Sequence, residues 1–444
     1  MLASIAADGT GKITSGVEDI NSTSSSGVQL NVPVTTASSS YSIGSDHRGC
    51  LTLVAGGVTR VFRFAASMIT AGVASGARIV EFDKTGSNTV GLMSIQNASD
   101  FSNAAISGNY AFRVKSPLTS AAGGGFFAAV GAWNLSGSTV AGIGDFNING
   151  VVNGNASLTS PITFTPGTYN ITGPDGRGTL SFTAGSSTIH LVIYVLDNTQ
   201  LMLMSSDPQS ATSNLFSGVA GVQLKTGAST LNGVTVLFGS GLGGTKTSSQ
   251  VQAGVFTADG VSTFTYSGDQ NSGGTPATQN TTGTYSISSS NNGRILVTNT
   301  GGAAPAMIFY PLDVDFLYGI STDAHVLTLD IEPHLSEPYS DTALTGAYSS
   351  SSIDPVVPAS ALIEGVATYD GAGNVTGTFE SNAAGSLSLG NAFTNTYAVS
   401  PNGRTVSPAS GTTKTVSYVT YIGKVVSFDY TSANSNPTLI VGQP

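Results

Sequence analysis

Any hydrolytic or metal chemistry in this chain would have to be assembled from four histidines and 25 carboxylates. His47, His190, His325 and His334 are scattered, and none lies in an HExxH or other close-ligand pattern of the kind that binds zinc. His190 falls inside the apolar run Ile189–Leu196, where a structural role is expected. Serine is abundant, but no Gly-x-Ser-x-Gly elbow is followed by a suitable acid and histidine. Two carboxylates distant in sequence could still form a glycosidase pair, so a secreted hydrolase stands as a second alternative. The sequence assigns no catalytic residue, no cofactor and no metal ligand.

Aspartate–glycine turns recur at Asp8, Asp175, Asp259 and Asp370. Calcium takes six to eight oxygens, usually from several carboxylates close together, and none of these turns supplies them. Asp and Gly are also what tight hairpin turns require, and that is the role expected here. Glu18 with Asp19, and Asp313 with Asp315, are local acidic pairs that do not recur.

A tyrosine–arginine hairpin does recur, four times, roughly 110 to 130 residues apart. Tyr41 is followed by Asp46-His47-Arg48, Tyr169 by Asp175-Gly176-Arg177, Tyr285 by Asn292-Gly293-Arg294 and Tyr397 by Asn402-Gly403-Arg404. A short strand, a turn of Asp, Asn or Gly and a returning strand make a β-hairpin. The expected role is structural: the guanidinium packs on the ring, or caps carbonyls at the strand end. The functional alternative is a ligand-binding set, with Tyr41, Tyr169, Tyr285 and Tyr397 as a row of sugar-stacking platforms. Trp133, the sole tryptophan, joins that set as an exposed stacking residue unless it packs in a core.

The elements that position these residues are strands. Alternation is visible in Gly178–Thr183 and Leu51–Leu53, and no segment sustains a helical apolar period. Only 9% of residues are charged and 56 are glycine, yet aromatic and β-branched residues are well supplied, so the chain should fold. The net charge of −10 with 15 Lys and Arg offers no basic cluster, which argues against nucleic acid and anionic membrane surfaces as partners. A lone cysteine, Cys50, excludes an intrachain disulfide and aligns with Thr179 as a small strand residue. No stretch of 18 apolar residues occurs, and the first residues do not read as a signal peptide.

The repeat places four units at 1–103, 104–215, 216–338 and 339–444. Units open on glycine, with Gly108-x-Tyr110 and Gly346-x-Tyr348 keeping a tyrosine and Gly218 as the expected opening of the third. Unit 1 lacks its first strand. The fold class expected is all-β: a tandem array of four antiparallel β-meander units, each a small up-and-down barrel, with a two-sheet sandwich as the alternative. A parallel β-helix, with its much shorter coil, ranks third.

The stretch Ala7–Asn21, followed by Tyr41 and Asp46-His47-Arg48-Gly49, resembles large uncharacterised secreted bacterial proteins built from Gly/Ser/Thr-rich β-repeats of this length. The resemblance implies a cell-envelope or extracellular location and brings no catalytic residues. Together these readings give a structural array at the cell surface: a stiff rod serving as stalk, matrix or filament component. A carbohydrate-binding adhesin contacting surface glycans is the alternative. The incomplete unit 1 suggests head-to-tail self-association, a strand from another chain completing it; its rival is a chain that starts late. Sequons at Asn21, Asn97, Asn134, Asn155, Asn170, Asn280 and Asn374 are ascribed to composition.

Overall fold

The computed structural model describes residues 1–22, 27–70, 72–83, 89–116, 126–154, 158, 160–209, 214–227, 230–302, 306–334, 338–353 and 360–444. The Asn155 sequon lies outside them. The described elements are strands and short 3-10 turns, as the alternating pattern and frequent glycine require.

Unit 1 contains β1 (Leu2–Ala7), β2 (Ile13–Asn21), β3 (Val28–Pro33), β4 (Ser40–Ile43), β5 (Arg48–Ala55), β6 (Val58–Thr70), β7 (Val73–Glu81) and β8 (Val90–Ser94). Unit 2 contains β9 (Gly108–Lys115), β10 (Phe127–Ser136), β11 (Thr139–Ile148), β12 (Val151–Val152), β13 (Ile162–Ile171), β14 (Arg177–Ala184), β15 (Ser187–Asp197), β16 (Gln200–Ser205) and β17 (Ser217–Val222). Unit 3 contains β18 (Gly233–Leu242), β19 (Ser249–Ala258), β20 (Thr263–Ser272), β21 (Thr275–Ser288), β22 (Arg294–Gly301), β23 (Met307–Asp313), β24 (Phe316–Ser321) and β25 (Val326–Pro333). Unit 4 contains β26 (Thr345–Ile353), β27 (Ala361–Asp370), β28 (Asn374–Ala383), β29 (Ser386–Thr396), β30 (Ala398–Val399), β31 (Arg404–Ser407), β32 (Thr415–Val419), β33 (Val425–Asp429) and β34 (Leu439–Gln443).

Each unit is an antiparallel meander, and the barrel, not the sandwich, is the architecture. In unit 3, β18 to β25 pair in sequence and β25 returns to β18, closing an eight-stranded barrel. Unit 2 closes the same way, with β9 between β10 and β17. In unit 4 the ring runs from β26 round to β34, with the fourth strand bent at Tyr397 into β29 and β30. Unit 1 has the counterparts of all these strands except the first. Its sheets β1–β3 and β4–β8 are bridged at Lys12–Ser40 and Val34–Ala55, but β1 and β8 do not pair.

The borders between units shift from those the repeat suggested. β17 pairs with β16 and β9, so unit 2 extends beyond residue 215, and Gly218 lies in its last strand. Unit 3 opens at Gly233 instead; Thr235 stands there in the register of Tyr110, so the tyrosine that marks the phase is absent. Residues from Asn97 onward already serve unit 2, since Phe101 and Ile106 pack on its core.

Side chains that face the barrel interiors form the cores of units 2, 3 and 4. Unit 2 is densest in rings: Trp133 stacks on Phe112 with centroids 4.4 Å apart, and Phe164 lies 4.4 Å from Phe182. Burying rings of this size supplies most of the favourable free energy of such a core. Turn chemistry follows the sequence. Asp8 accepts the Thr10 hydroxyl and the amides of Lys12 and Thr10, and those bonds hold its pKa down to about 2. Asp259 and Asp370 accept the amides of their own turns in the same way.

Candidate functional site

The recurring polar residues meet at the joints between units. Arg177 of unit 2 donates through Nε and Nη2 to both carboxylate oxygens of Asp19 in unit 1, each at 2.7 Å. The hydroxyl of Tyr194 donates to the same carboxylate at 2.5 Å. Arg294 and Tyr310 of unit 3 hold Asp145 of unit 2 identically, with all three bonds at 2.8 Å. Arg404 and Tyr418 of unit 4 hold Asp269 of unit 3 at 2.6, 3.0 and 2.6 Å. Two-point guanidinium–carboxylate contacts fix orientation as well as distance. Burial, reinforced by the aspartate, pushes the phenols of Tyr194 and Tyr418 far above their ordinary pKa, so both remain donors.

Two residues beyond each aspartate, an asparagine adds a second clasp. The Nδ2 of Asn21 donates to the carbonyls of Ser205 and Asp207 in unit 2. Asn147 reaches the carbonyls of Ser321 and His325 in unit 3, and Asn271 those of Asp429 and Thr431 in unit 4. Asn382 of unit 4 donates to the carbonyl of Glu81 in unit 1 at 2.8 Å. That last bond closes the array. β26 and β27 of unit 4 pack on β6 and β7 of unit 1, just as β9 and β10 of unit 2 pack on β23 and β24 of unit 3. The four units therefore form a closed ring, not the rod expected from units in series, and the head-to-tail contact between unit 4 and unit 1 is made within one chain.

The joints differ in composition. Between units 2 and 3, Ala128, Val130, Ala132, Ile308, Tyr310 and Ile320 share one buried apolar cluster. Between units 3 and 4, Phe238, Val251, Val416 and Phe428 do the same. The apolar cluster at the joint of units 1 and 2 is small among the described residues, with Val17, Val192 and Tyr194 buried. The joint of units 4 and 1 is polar. Glu380 takes the place of the aspartate and meets Arg48 at 3.5 Å and Arg63 at 3.3 Å. By strand register Ala65 stands where the others have Tyr194 and Tyr418. Arg63 replaces the apolar Val192 and Val416, and Glu364 replaces Val130 and Ala253. Glu364 is 1% exposed, and burial, with Glu380 adding to it, raises its pKa to about 8.

The tyrosines of the hairpins have another task. Tyr169, Tyr285 and Tyr397 are buried, and their hydroxyls donate to the carbonyls of Asn103, Leu231 and both Asp341 and Leu344. Each thus pins the segment that leads into its unit's first strand. Tyr41, in the unit without that segment, is half-buried. The arginines do not stack on these rings; they leave the hairpin for the neighbouring unit. Gly176 makes that turn possible, with φ at 72° and Phe101 only 2.6 Å from where a Cβ would sit. A sugar-stacking platform needs an exposed ring face, which Tyr169, Tyr285, Tyr397 and Trp133, at 1%, do not present.

The histidines stay apart. His190 bonds Asp207 and His325 bonds Asp323 through Nδ1, both near the surface, while His334 packs on Tyr339. His190 is exposed rather than covered in its strand. Cys50 is half-buried on β5, opposite Arg63. Sequence reading took Asp19 only as half of a non-recurring acidic pair and passed over Asp145, Asp269 and Glu380. The signal was present as Asp-Ile-Asn, Asp-Phe-Asn, Asp-Gln-Asn and Glu-Ser-Asn, one acid-x-Asn per unit. In comparisons with known proteins, the chain matches no family model and no curated sequence.

Proposed function

We propose that the protein is a structural component of the cell surface or extracellular matrix, a rigid ring-shaped block that spaces and displays rather than transforms. One observation carries this reading: the hairpin arginines, their aspartate partners, Tyr194, Tyr310, Tyr418 and the asparagines two residues beyond the acids are committed to holding unit to unit. The low charge and abundant hydroxyl side chains suit a neutral, hydrated surface. Cation-poor composition argues against nucleic acid as a partner.

The test combines three measurements on the full-length protein. Particles imaged by negative stain should be compact four-lobed rings. Antibody should label intact producing cells. A panel of glycans, esters and peptides should be left unchanged. Turnover of any substrate in that panel overturns the structural role, and protein found only inside the cell overturns the surface placement.

A further inference from the structure

The joint that closes the ring buries an acid that nothing holds. Opposite the joint acid in strand register, unit 1 has Leu2, unit 2 has Val130 and unit 3 has Ala253. Unit 4 has Glu364 there. It lies on β27, which packs on β6 and β7 of unit 1, and both of its carboxylate oxygens are buried without a hydrogen bond. The guanidiniums across the joint are engaged elsewhere. Arg48 makes a 2.8 Å pair with Asp46 of its own turn and meets Glu380 at 3.5 Å. Arg63 lies over the ring of Phe82, 5.5 Å from its centre, and meets Glu380 at 3.3 Å.

The charges around Glu364 balance only while it is neutral. Glu380 comes from β28, Arg63 from β6, Arg48 from β5 and Asp46 from the turn before β5. β26 offers serines, with Tyr348 turned into the core of its own unit. On β7, Arg78 bonds Gln443 of β34, and Glu81 bonds Thr89 within unit 1. Two carboxylates thus face two guanidiniums, and a protonated Glu364 leaves their sum at zero. Ionised, it would add a buried negative charge beside Glu380 with no cation left to pair it, a costly state away from water.

We propose that the joint of units 4 and 1 is a proton-operated gate in the ring, closed while Glu364 keeps its proton and open once the carboxylate is formed and turns to water. Burial and Glu380 raise the pKa of Glu364 to about 8, so the gate is shut at neutral pH and opens in mild alkali. The corresponding residues of the other joints, Leu2, Val130 and Ala253, do not titrate. Asp19, Asp145 and Asp269 there each receive a guanidinium and a phenol, so their charge is met on the spot. Unit 1 is the moving part. It shares only a small apolar cluster with unit 2, whereas units 2, 3 and 4 are joined through larger ones. Opening breaks the bond from Asn382 to the Glu81 carbonyl and exposes the facing sides of units 1 and 4. The gate is independent of the structural role proposed above.

The test uses the full-length protein in a Cys50→Ser background, with spin labels at the exposed positions Val73→Cys of unit 1 and Leu389→Cys of unit 4. A control pair is placed at Val151→Cys of unit 2 and Val261→Cys of unit 3. Distance distributions are recorded by double electron–electron resonance from pH 6 to pH 9. The long-distance population between units 1 and 4 should grow roughly tenfold or more over that range and revert on return to pH 6, because the open form binds the proton less tightly. The control pair should not change. Glu364→Gln, which mimics the neutral form, should hold the distance between units 1 and 4 constant. Glu364→Val, which installs the residue of unit 2, should do the same. An unchanged distribution between units 1 and 4 overturns the inference. So does a pH response that survives in either variant, or an equal response of the control pair.

Discussion

Arg177 and Asp19 stand 158 residues apart in the chain and meet through two hydrogen bonds of 2.7 Å. The contact is the first of three equivalent ones, and it shows where this charge-poor protein places its few ionic groups. A buried ion pair contributes little net stability against an apolar replacement, but losing one partner is costly because the other stays buried. Such pairs act chiefly on geometry: they tolerate one orientation between neighbouring barrels and reject others.

The pair of Asp145 and Arg294 is the most enclosed, with side chains 0% and 4% exposed. Asp145→Asn should therefore destabilise the protein by about 3–5 kcal/mol. Asp269→Asn should cost less, because Arg404 is 29% exposed and water can take over part of the load. Thermal or denaturant unfolding of both variants checks the order. A larger loss in Asp269→Asn would refute the burial argument.

The polar joint of units 4 and 1 should respond to pH in the opposite sense to carboxylates that hydrogen bonds or ion pairs hold ionised. Glu364 has a folded pKa of about 8, raised from 4.5 by burial and by Glu380, with Arg48 and Arg63 pulling it down and Asp46 adding to the rise. Its folded form therefore binds the proton more tightly than the unfolded form, so the contribution is full below about 4.5 and is lost as pH rises to about 8. Hydrogen exchange across β26 and β27 should quicken over that window while β9 and β10 hold steady. Glu364→Gln should abolish the difference; if it persists, another group is responsible.

Each asparagine clasp satisfies carbonyls of a neighbouring unit. Asn147→Ala removes a donor to both Ser321 and His325 and should cost about 1–3 kcal/mol. Asn382→Ala, which removes the contact to the Glu81 carbonyl, should loosen the ring where it closes. Spin labels placed on units 1 and 4 should then report a broadened distance distribution, while a pair on units 2 and 3 should not. Equal broadening at both places would contradict a local effect.

Trp133 is the sole tryptophan and a built-in reporter of unit 2. Its emission should be that of a buried indole, resistant to iodide and indifferent to added sugars. Trp133→Ala should cost about 3–5 kcal/mol through the cavity left against Phe112 and Phe182. Quenching of the native protein by a glycan would restore the stacking role that its burial speaks against.

Much of the fold was legible because it is local. Alternation gave the strands, the Asp-Gly turns accept their own amides, and the Tyr–Arg hairpins marked the repeat. The third unit slipped in phase because Thr235 replaces the marking tyrosine. The partners of Arg177, Arg294 and Arg404 were harder to see, since an aspartate in mid-strand looks like any polar residue until a neighbouring barrel covers it. The acid-x-Asn spacing was the available clue. Ring closure had none, because it depends on the rotation between units, which the residues of a single unit do not express.

That closure sets the copy number. An open solenoid can gain or lose a repeat at either end and leave the remaining contacts intact. Here the last unit is met by the first. Duplicating one unit would force every joint to a new angle, or leave unit 4 unable to reach unit 1. The Arg–Asp–Tyr contacts that fix how neighbouring barrels meet are therefore matched to a ring of four units.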